Sequence, residues 1–376
     1  MFTLRRYPIL ATLLKPFPKK QKTSLGLVTS AIIEVGSAGS MNIAARLTRW
    51  LRIQFASALN RLYRLLRNHR VDAILLTKQL LCLVRRSLGN KPLIAIDWTE
   101  WHHNLRMLTA SVVADKRAIP VQTAAFHKST IPRSQNSREN GFLNLLAMVV
   151  GELGLKPIIL CDRGFRRVSW LKLLQERKLS FVVRLQQDLY AQARGMGPRL
   201  LSNMGLKPGR ALDLKWVQLR EDQAVRVRVV GVWKRGAREP WWLATSMTCS
   251  VERVVAIYDR RMSIEEQFRD TKGCRFGVKL YWTQFKKPEH LSRLAQLVGI
   301  AIVVWTAIGV AASRASPSLR YNHPKKGPRF SFVTIGIRSR EEVMRTMSLT
   351  VRSVCEHIPK PSLRNFPWIR LRLETI

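Results

Sequence analysis

The sequence predicts a mixed α/β protein: a helical N-terminal region, a sheet with helices on both faces, and a β-rich insertion. Three observations carry this. Residues 24–90 keep a helical period, residues 91–188 alternate short apolar runs with amphipathic ones, and residues 189–248 hold strand-like runs without a long helical pattern. At 376 residues the chain is too long for one small core and should form two or three folded units. Its 46% hydrophobic and 24% charged residues exclude wholesale disorder.

The elements follow in order. Arg5, Arg6, Lys15, Lys19, Lys20 and Lys22, broken by Pro8, Pro16 and Pro18, read as a loose basic arm and not as an export signal. Ser24 to Val35 is apolar, Gly36 to Ser40 is a turn, and Met41 to Leu47 restarts the helical pattern, an arrangement similar to a helix-turn-helix. The helix around Ala56–Arg67 sets Leu59, Leu62, Leu65 and Leu66 apart from Arg61, Arg64 and Arg67; a merely solvated basic face remains the alternative to DNA contact. From Lys91 the runs 92–97, 106–115 and 119–126 read as strands, 140–153 as a helix, 156–162 as a strand, 166–178 as an amphipathic helix and 179–185 as a fifth strand. That succession is the order of a ribonuclease H-like fold. WVQLRE, AVRVRVVGVW and WWLATS supply the strands of the insertion, and a helical pattern returns from Val251 to about Lys272. Beyond residue 316 the chain is basic and Pro-rich, with a strand at FSFVTIGI and a helix from Arg340 to His357.

Charge narrows the function. Sixty-five Lys and Arg against 24 Asp and Glu give a net charge of +41, which points to a polyanion, DNA or RNA, as partner. Cys82, Cys161, Cys249, Cys274 and Cys355 are too dispersed for a metal knuckle and suggest reduced thiols in a cytoplasmic protein. The uncharged stretch within residues 294–313 is long enough to cross a bilayer, but Gln296, Gly299, Thr306 and Gly309 favour a helix buried inside the protein.

Two aspartates end apolar strands, Asp97 in LIAID and Asp162 in IILCD. An ionised carboxylate there is costly unless paired or bound to a cation, and neighbouring strand ends would offer two carboxylates to a hard divalent ion. A third carboxylate lies in YDRRMSIEEQFRDTK (258–272), where Tyr258, Arg261, Glu265 and Lys272 stand at gaps of three, four and seven. At about 100° per residue these four and Arg269 share a stripe roughly 80° wide. Ile257, Ile264 and Phe268 fall on an adjoining apolar sector, while Asp259, Ser263, Glu266, Gln267 and Asp270 would face solvent. A salt-bridged surface helix, with Arg261–Glu265 and Glu265–Arg269 pairs, fits the same spacing.

The pattern Tyr-x2-Arg-x3-Glu-x6-Lys, with AIDWTEW around Asp97 and DRGF from Asp162, resembles the signature of DDE transposases of cut-and-paste bacterial insertion sequences. The resemblance covers roughly residues 20–315. It implies a ribonuclease H-like catalytic core and two Mg2+ ions (Mn2+ may substitute) held by Asp97, Asp162 and Glu265, with Asp97 bridging both. It also implies strand hydrolysis at the element's ends, attack by the freed 3′-hydroxyl, and a hairpin intermediate. Tyr258, Arg261 and Lys272 match the positions that hold terminal phosphates, with Arg269 a weaker candidate. Trp241 resembles the tryptophan that stacks on a flipped base; an ordinary core residue, or Trp242 in its place, is the alternative. Arg163 could hold DNA or pair with Asp162. Met262 stands where the family often has Trp. His102 and His103 read as structural and not as zinc ligands. The implied partners are terminal inverted repeats and target DNA, met by a homodimer in a synaptic complex without any membrane, in the bacterial cytoplasm at the nucleoid.

These readings divide the chain into a basic, helical, DNA-binding domain (1–90), the first part of the core (91–188), the β-rich insertion (189–248), the second part of the core (249–315) and a basic C-terminal region (316–376). Rival readings are a nuclease or resolvase of the same fold without strand transfer, a DNA-binding protein without chemistry, and a membrane protein built on 294–313.

Overall fold

The computed structural model describes residues 7–132, 134–193, 195, 197–220, 224–275, 277–315, 322–323, 327–328, 330–363 and 372–374. The fold is mixed α/β and divides into two compact units. The first comprises Met1–Gly89, Trp98–Gln135 and Ile264–Lys360; the second comprises Asn90–Asp97, Asn136–Ser263 and Pro361–Ile376.

The first unit gathers helices α1 (Pro8–Leu13), α2 (Lys19–Val35), α3 (Ser40–Leu51), α4 (Phe55–Arg67) and α5 (Ala73–Leu88). The proline-broken N-terminus is not a loose arm from Tyr7 onward. Tyr7, Ile9, Leu10, Leu13, Leu14 and Phe17 are buried, so its apolar residues outweigh its prolines and pin it down. Arg5 and Arg6 lie outside the described residues. Helices α2 and α3 meet at 110°, as the helix-turn-helix pattern suggests, with Gly36 closing α2 at φ +66°. An antiparallel hairpin, β2 (Leu105–Ala114) and β3 (Arg117–His127), belongs to this unit. Its turn sets Asp115 at φ +58°.

The long apolar segment is helix α10 (Pro288–Ala315), buried from Leu294 through Val310. It packs on α2, α4, α5 and β3, and on α11 (Phe332–Thr346) and α12 (Val351–Glu356). Polar anchors fix its register: Trp305 Nε1 donates to Ile33 O at 3.2 Å and Arg293 Nη1 to Leu66 O at 2.7 Å. This is the buried core helix favoured over a membrane span. The FSFVTIGI run is a helix and not a strand. Ser331 Oγ caps the helix by accepting from Thr334 N at 3.1 Å, and Gly336 lets α11 press onto α10. The expected helix over 340–357 is broken, because α11 ends at Thr346 and Thr350 caps a new one.

The second unit is a sheet of order β1-β4-β5-β10-β9-β8-β6-β7. Strands β1 (Leu93–Trp101), β4 (Ile158–Cys161) and β5 (Ser180–Leu185) run parallel. Only residues 93–97 of β1 lie in this unit. The insertion adds β6 (Tyr190–Gln192), β7 (Arg199–Leu200), β8 (Arg210–Arg220), β9 (Ala224–Val232) and β10 (Trp241–Thr245), antiparallel to one another where they pair, and β10 is antiparallel to β5. A last strand, Arg372–Glu374, pairs with β8 in parallel. Helices α6 (Gln135–Glu152) and α7 (Val168–Glu176) are tied by Arg167, which pairs with the fully buried Glu139 and donates to Asn140 Oδ1 at 2.6 Å.

Within the insertion, Arg228 and Asp213 form a buried bidentate pair at 3.1 and 2.9 Å. Burial alone would raise the Asp213 carboxyl, but hydrogen bonds from Arg228 and Lys215 hold it below its ordinary value. Arg228 also donates to the carbonyls of Met247 and Cys249, the loop that leads out of β10. Removing one partner strands a buried charge, so Arg228→Met should cost about 3–5 kcal/mol in chemical denaturation. In the first unit, a Cβ on Gly336 would overlap the Trp305 carbonyl. Gly336→Ala should therefore cost about 3 kcal/mol, read as a lowered melting temperature.

Candidate active site

Apolar strands β1 and β4 run side by side with Ile96 opposite Cys161, so Asp97 and Asp162 are the next residues on neighbouring strands. Such strands lie about 4.8 Å apart, which sets both aspartates side by side where the β1–β4 pairing ends, although β1 itself runs on to Trp101. Each is held. Arg261 Nη1 reaches Asp97 Oδ2 at 3.2 Å, with both side chains nearly buried. Asp162 Oδ1 accepts from Gly164 N at 2.8 Å, and a Cβ at Gly164 would crowd that same oxygen. The fully buried Cys161 thiol registers the acids: burial pushes it well above its usual value, Asp162 adds to this, and Asp97 and Glu139 contribute further.

The segment carrying Arg261 is not one uniform helix. Helix α8 (Val251–Asp259) passes through a tighter turn, Arg260–Met262, before α9 (Ser263–Lys272) begins. A turn of that kind rotates each residue by about 120°, so the single stripe drawn through Tyr258, Arg261, Glu265, Arg269 and Lys272 is broken. Tyr258 and Arg261 are buried, while Glu265 and Arg269 are exposed. Tyr258 sits in the second unit, where burial pushes its hydroxyl up to about 12 against the pull of Arg261 and Arg184. Trp241 stands edge-on to Tyr258 at 5.2 Å and borders a cavity of about 150 Å3 with Lys234, Glu239 and Asp259. Trp242 instead lies in the core, its ring filling the space above Gly231.

Arg163 does not pair with Asp162. Its Nη1 meets Glu239 Oε1 at 3.3 Å, and Arg184 Nη2 meets the same oxygen at 2.7 Å. Arg184 and Glu239 escape the sequence reading, although a lone arginine inside the apolar run SFVVRL is the signal that could have exposed the first. Met262 is 46% exposed and accepts from Arg261 Nη2 at 3.3 Å, so its departure from tryptophan removes no core packing.

In the first unit, α9 buries a polar face that the sequence assigns to solvent. Gln267 accepts from Ser111 Oγ at 3.3 Å, and Asp270 accepts from Ser331 Oγ at 2.9 Å and meets Arg117 Nε at 3.3 Å. Ser263, the last residue of the second unit, is buried as well. Gln267 and Asp270 each accept a hydrogen bond from a residue far off in sequence, which is why helical periodicity alone misassigns them. Ile264 and Phe268 are buried as expected. Lys272 Nζ donates to Glu100 O at 2.7 Å beneath the rings of Trp101 and Tyr281, and burial lowers its pKa. Arg269 Nη1 meets Glu266 at 2.9 Å. His102 stacks on Tyr281 at 3.6 Å and His103 Nε2 meets Gln284 Oε1 at 2.8 Å; both lie in the turn after β1 and not on the strand.

Asp97 and Asp162 fit a hard divalent cation by donor type and by their adjacent positions on neighbouring strands, with Arg261 countering one charge. Among the described residues, no three His, Cys, Asp or Glu side chains stand together as a metal-holding group. The two aspartates belong to the second unit and Glu265 to the first.

A protein-family model described as the transposase DDE domain matches residues 89–302, more than half of the chain. A comparison with curated proteins finds no match.

Burial pushes the Asp270 carboxyl up to about 6, against the opposing pull of Arg117 and Ser331. The fold therefore favours its protonated form, and its contribution to stability is full below about pH 4 and lost as pH rises through about 6. Unfolding free energy followed across pH 4–7 should fall by about 3 kcal/mol from this group. Asp270→Asn, which keeps the acceptor for Ser331, should remove that part of the slope.

Proposed function

The chain belongs to the DDE-domain transposase family, and from that premise we propose that it binds the ends of a mobile DNA element, cuts them, and joins the freed 3′ ends to target DNA. The observation that carries this reading is the pair of aspartates just past the last paired residues of β1 and β4, with Arg261 on one of them and Tyr258 and Trp241 close by in the same unit. Parallel β1, β4 and β5 with an antiparallel hairpin after β1 suit a ribonuclease H-like core, here with a five-stranded insertion.

Asp97 and Asp162, joined by Glu265, would hold two divalent ions, Mg2+ or Mn2+. Such ions supply charge neutralisation at a scissile phosphate and a more acidic water. The chain's own residues do the positioning. Arg261 restrains Asp97, and its planar fork of donors would suit a terminal phosphate brought to the same place. Tyr258 stays protonated at neutral pH and so can donate to a phosphate oxygen. Lys272, Arg269 and Arg163 would add further phosphate contacts. Trp241, edge-on to Tyr258 and bordering a cavity, offers a platform for a base turned out of the duplex. Residues 1–90 would serve in DNA binding, and two subunits would bring two element ends together, in the bacterial cytoplasm.

Incubating the protein with its element's flanking inverted repeats and Mg2+ tests the reading. Wild type should release the element, while Asp97→Asn, Asp162→Asn and Glu265→Gln should each lower cleavage by about a thousandfold or more with DNA binding retained. Trp241→Ala should slow the hairpin step about tenfold, in line with the loss of one stacking contact. Cleavage without any joining of pre-cut ends would establish a nuclease instead. Unchanged activity in all three acid variants would overturn the proposal.

A further inference from the structure

We propose that the exposed face of α6 pairs with the same face of a second copy of this chain, the two helices running antiparallel about a two-fold axis at Leu145. Helix α6 belongs to the second unit and buries Glu139, Phe142, Leu143, Leu146, Val149 and Val150. Part of its outer side is apolar where a solvated face would be polar. Leu145 and Met148 are 43% and 44% exposed, and Gly141 beside them is exposed as well. At about 100° per residue Arg138, Gly141, Leu145, Met148 and Glu152 fall in one stripe roughly 80° wide.

Charge selects the occupant. Arg138 and Glu152 stand at equal distances in sequence on either side of Leu145. Antiparallel pairing about that residue therefore sets each Arg138 beside Glu152 of the partner subunit, as a self-complementary two-fold interface requires. Residues 140–151 between them carry no charge, in a chain of net charge +41 whose copies otherwise repel. A neutral stretch closed by opposite charges is where two such copies approach at least cost. A partner of one charge sign finds no complementary field along it.

Glycine adds a separate observation. Within a helix it is destabilising relative to alanine. A Cβ at Gly141 would meet nothing within 4 Å, so no contact inside the chain requires glycine there. A facing helix does, because the same axis brings Met148 of the partner subunit opposite Gly141, and the missing side chain leaves it room. The face is also held in a fixed orientation. Arg167 grips Glu139 and Asn140 on the inner side, and Arg177 Nε donates to Asn144 Oδ1 at 2.8 Å on the flank. Docking then costs little ordering of the helix. A stripe about 21 Å long falls short of the roughly 800 Å2 per partner of a standard interface, which places the pairing in the weak, transient class. The inference deepens the two-subunit part of the proposed function by naming a surface that acts without DNA.

Sedimentation velocity of the full chain without DNA, from about 1 to 100 μM, tests it, and wild type should pass from monomer to dimer over that range. Leu145→Glu sets two like charges at the axis and should raise the dissociation constant about tenfold or more. Gly141→Leu, which meets nothing inside the chain, should do the same. Arg138→Glu and Glu152→Arg should each weaken self-association about threefold, yet an equimolar mixture of the two should form heterodimers at wild-type strength. No effect confined to one chain, misfolding included, produces that recovery. Wild type that stays monomeric throughout, a dimer indifferent to Leu145→Glu, or a mixture that fails to recover overturns the proposal. Such a failure leaves cleavage of element ends untouched, whereas acid variants that cut as well as wild type sink the transposase reading and leave the α6 pairing standing.

Discussion

Two carboxylates just past the paired stretch of adjacent apolar strands repel each other, and the second unit is arranged around that cost. The β1–β4 register makes the problem unavoidable, because Ile96 beside Cys161 brings Asp97 and Asp162 out together. Arg261 answers half of it by contacting Asp97, and the Gly164 amide answers part of the rest at Asp162. For Arg261 to arrive there, α8 must be held in place. Arg228 ties the loop before α8 to the insertion, and Trp241 packs against Tyr258 near the end of α8. The insertion therefore acts as the mount for the helix that neutralises the first aspartate.

The tight turn at Arg260–Met262 has a second effect. It separates what the residues before it do from what those after it do. Tyr258 and Arg261 turn inward among the acids of the second unit, whereas Glu265 and Arg269 are exposed in the first. A uniform helix would have put all of them on one face. One continuous stretch of chain thus serves both units, and its buried polar face at Gln267 and Asp270 fastens α9 to β2 and to the start of α11.

Strand positions were legible where short apolar runs ended in turns, as at 156–162 and 179–185, because burial of such runs leaves few alternatives, whereas the strand expected over 92–97 runs on through polar residues to Trp101. The two aspartates were legible for the same reason: a charge terminating an apolar run is costly without a purpose. Other features were not, and for physical causes. Phe330 to Ile337 has strand-like residues, but a serine cap and a glycine crossing against α10 outweigh propensity. Gln267 and Asp270 look like solvent residues because their partners, Ser111, Ser331 and Arg117, lie far away in sequence. Arg184 and Glu239 are likewise joined only by the fold, on β5 and in the loop before β10.

The positive charge falls into two kinds with different work to do. Around the aspartates the arginines are already matched, Arg261 with Asp97, and Arg163 and Arg184 with Glu239. Matched cations attract little at a distance but are held in position for close contact with phosphate oxygens. Lys20, Arg61 and Arg64, which line the cleft between α2 and α4, make no ion pair among the described residues, and in a chain of net charge +41 they add to a field felt well beyond contact, over about a Debye length. A substrate that is itself a long polyanion is drawn by the second kind and aligned by the first. A small anionic substrate would need only the first. Such a surplus of positive charge, far from the acids in sequence, suits a long polyanion better than a small phosphate ester.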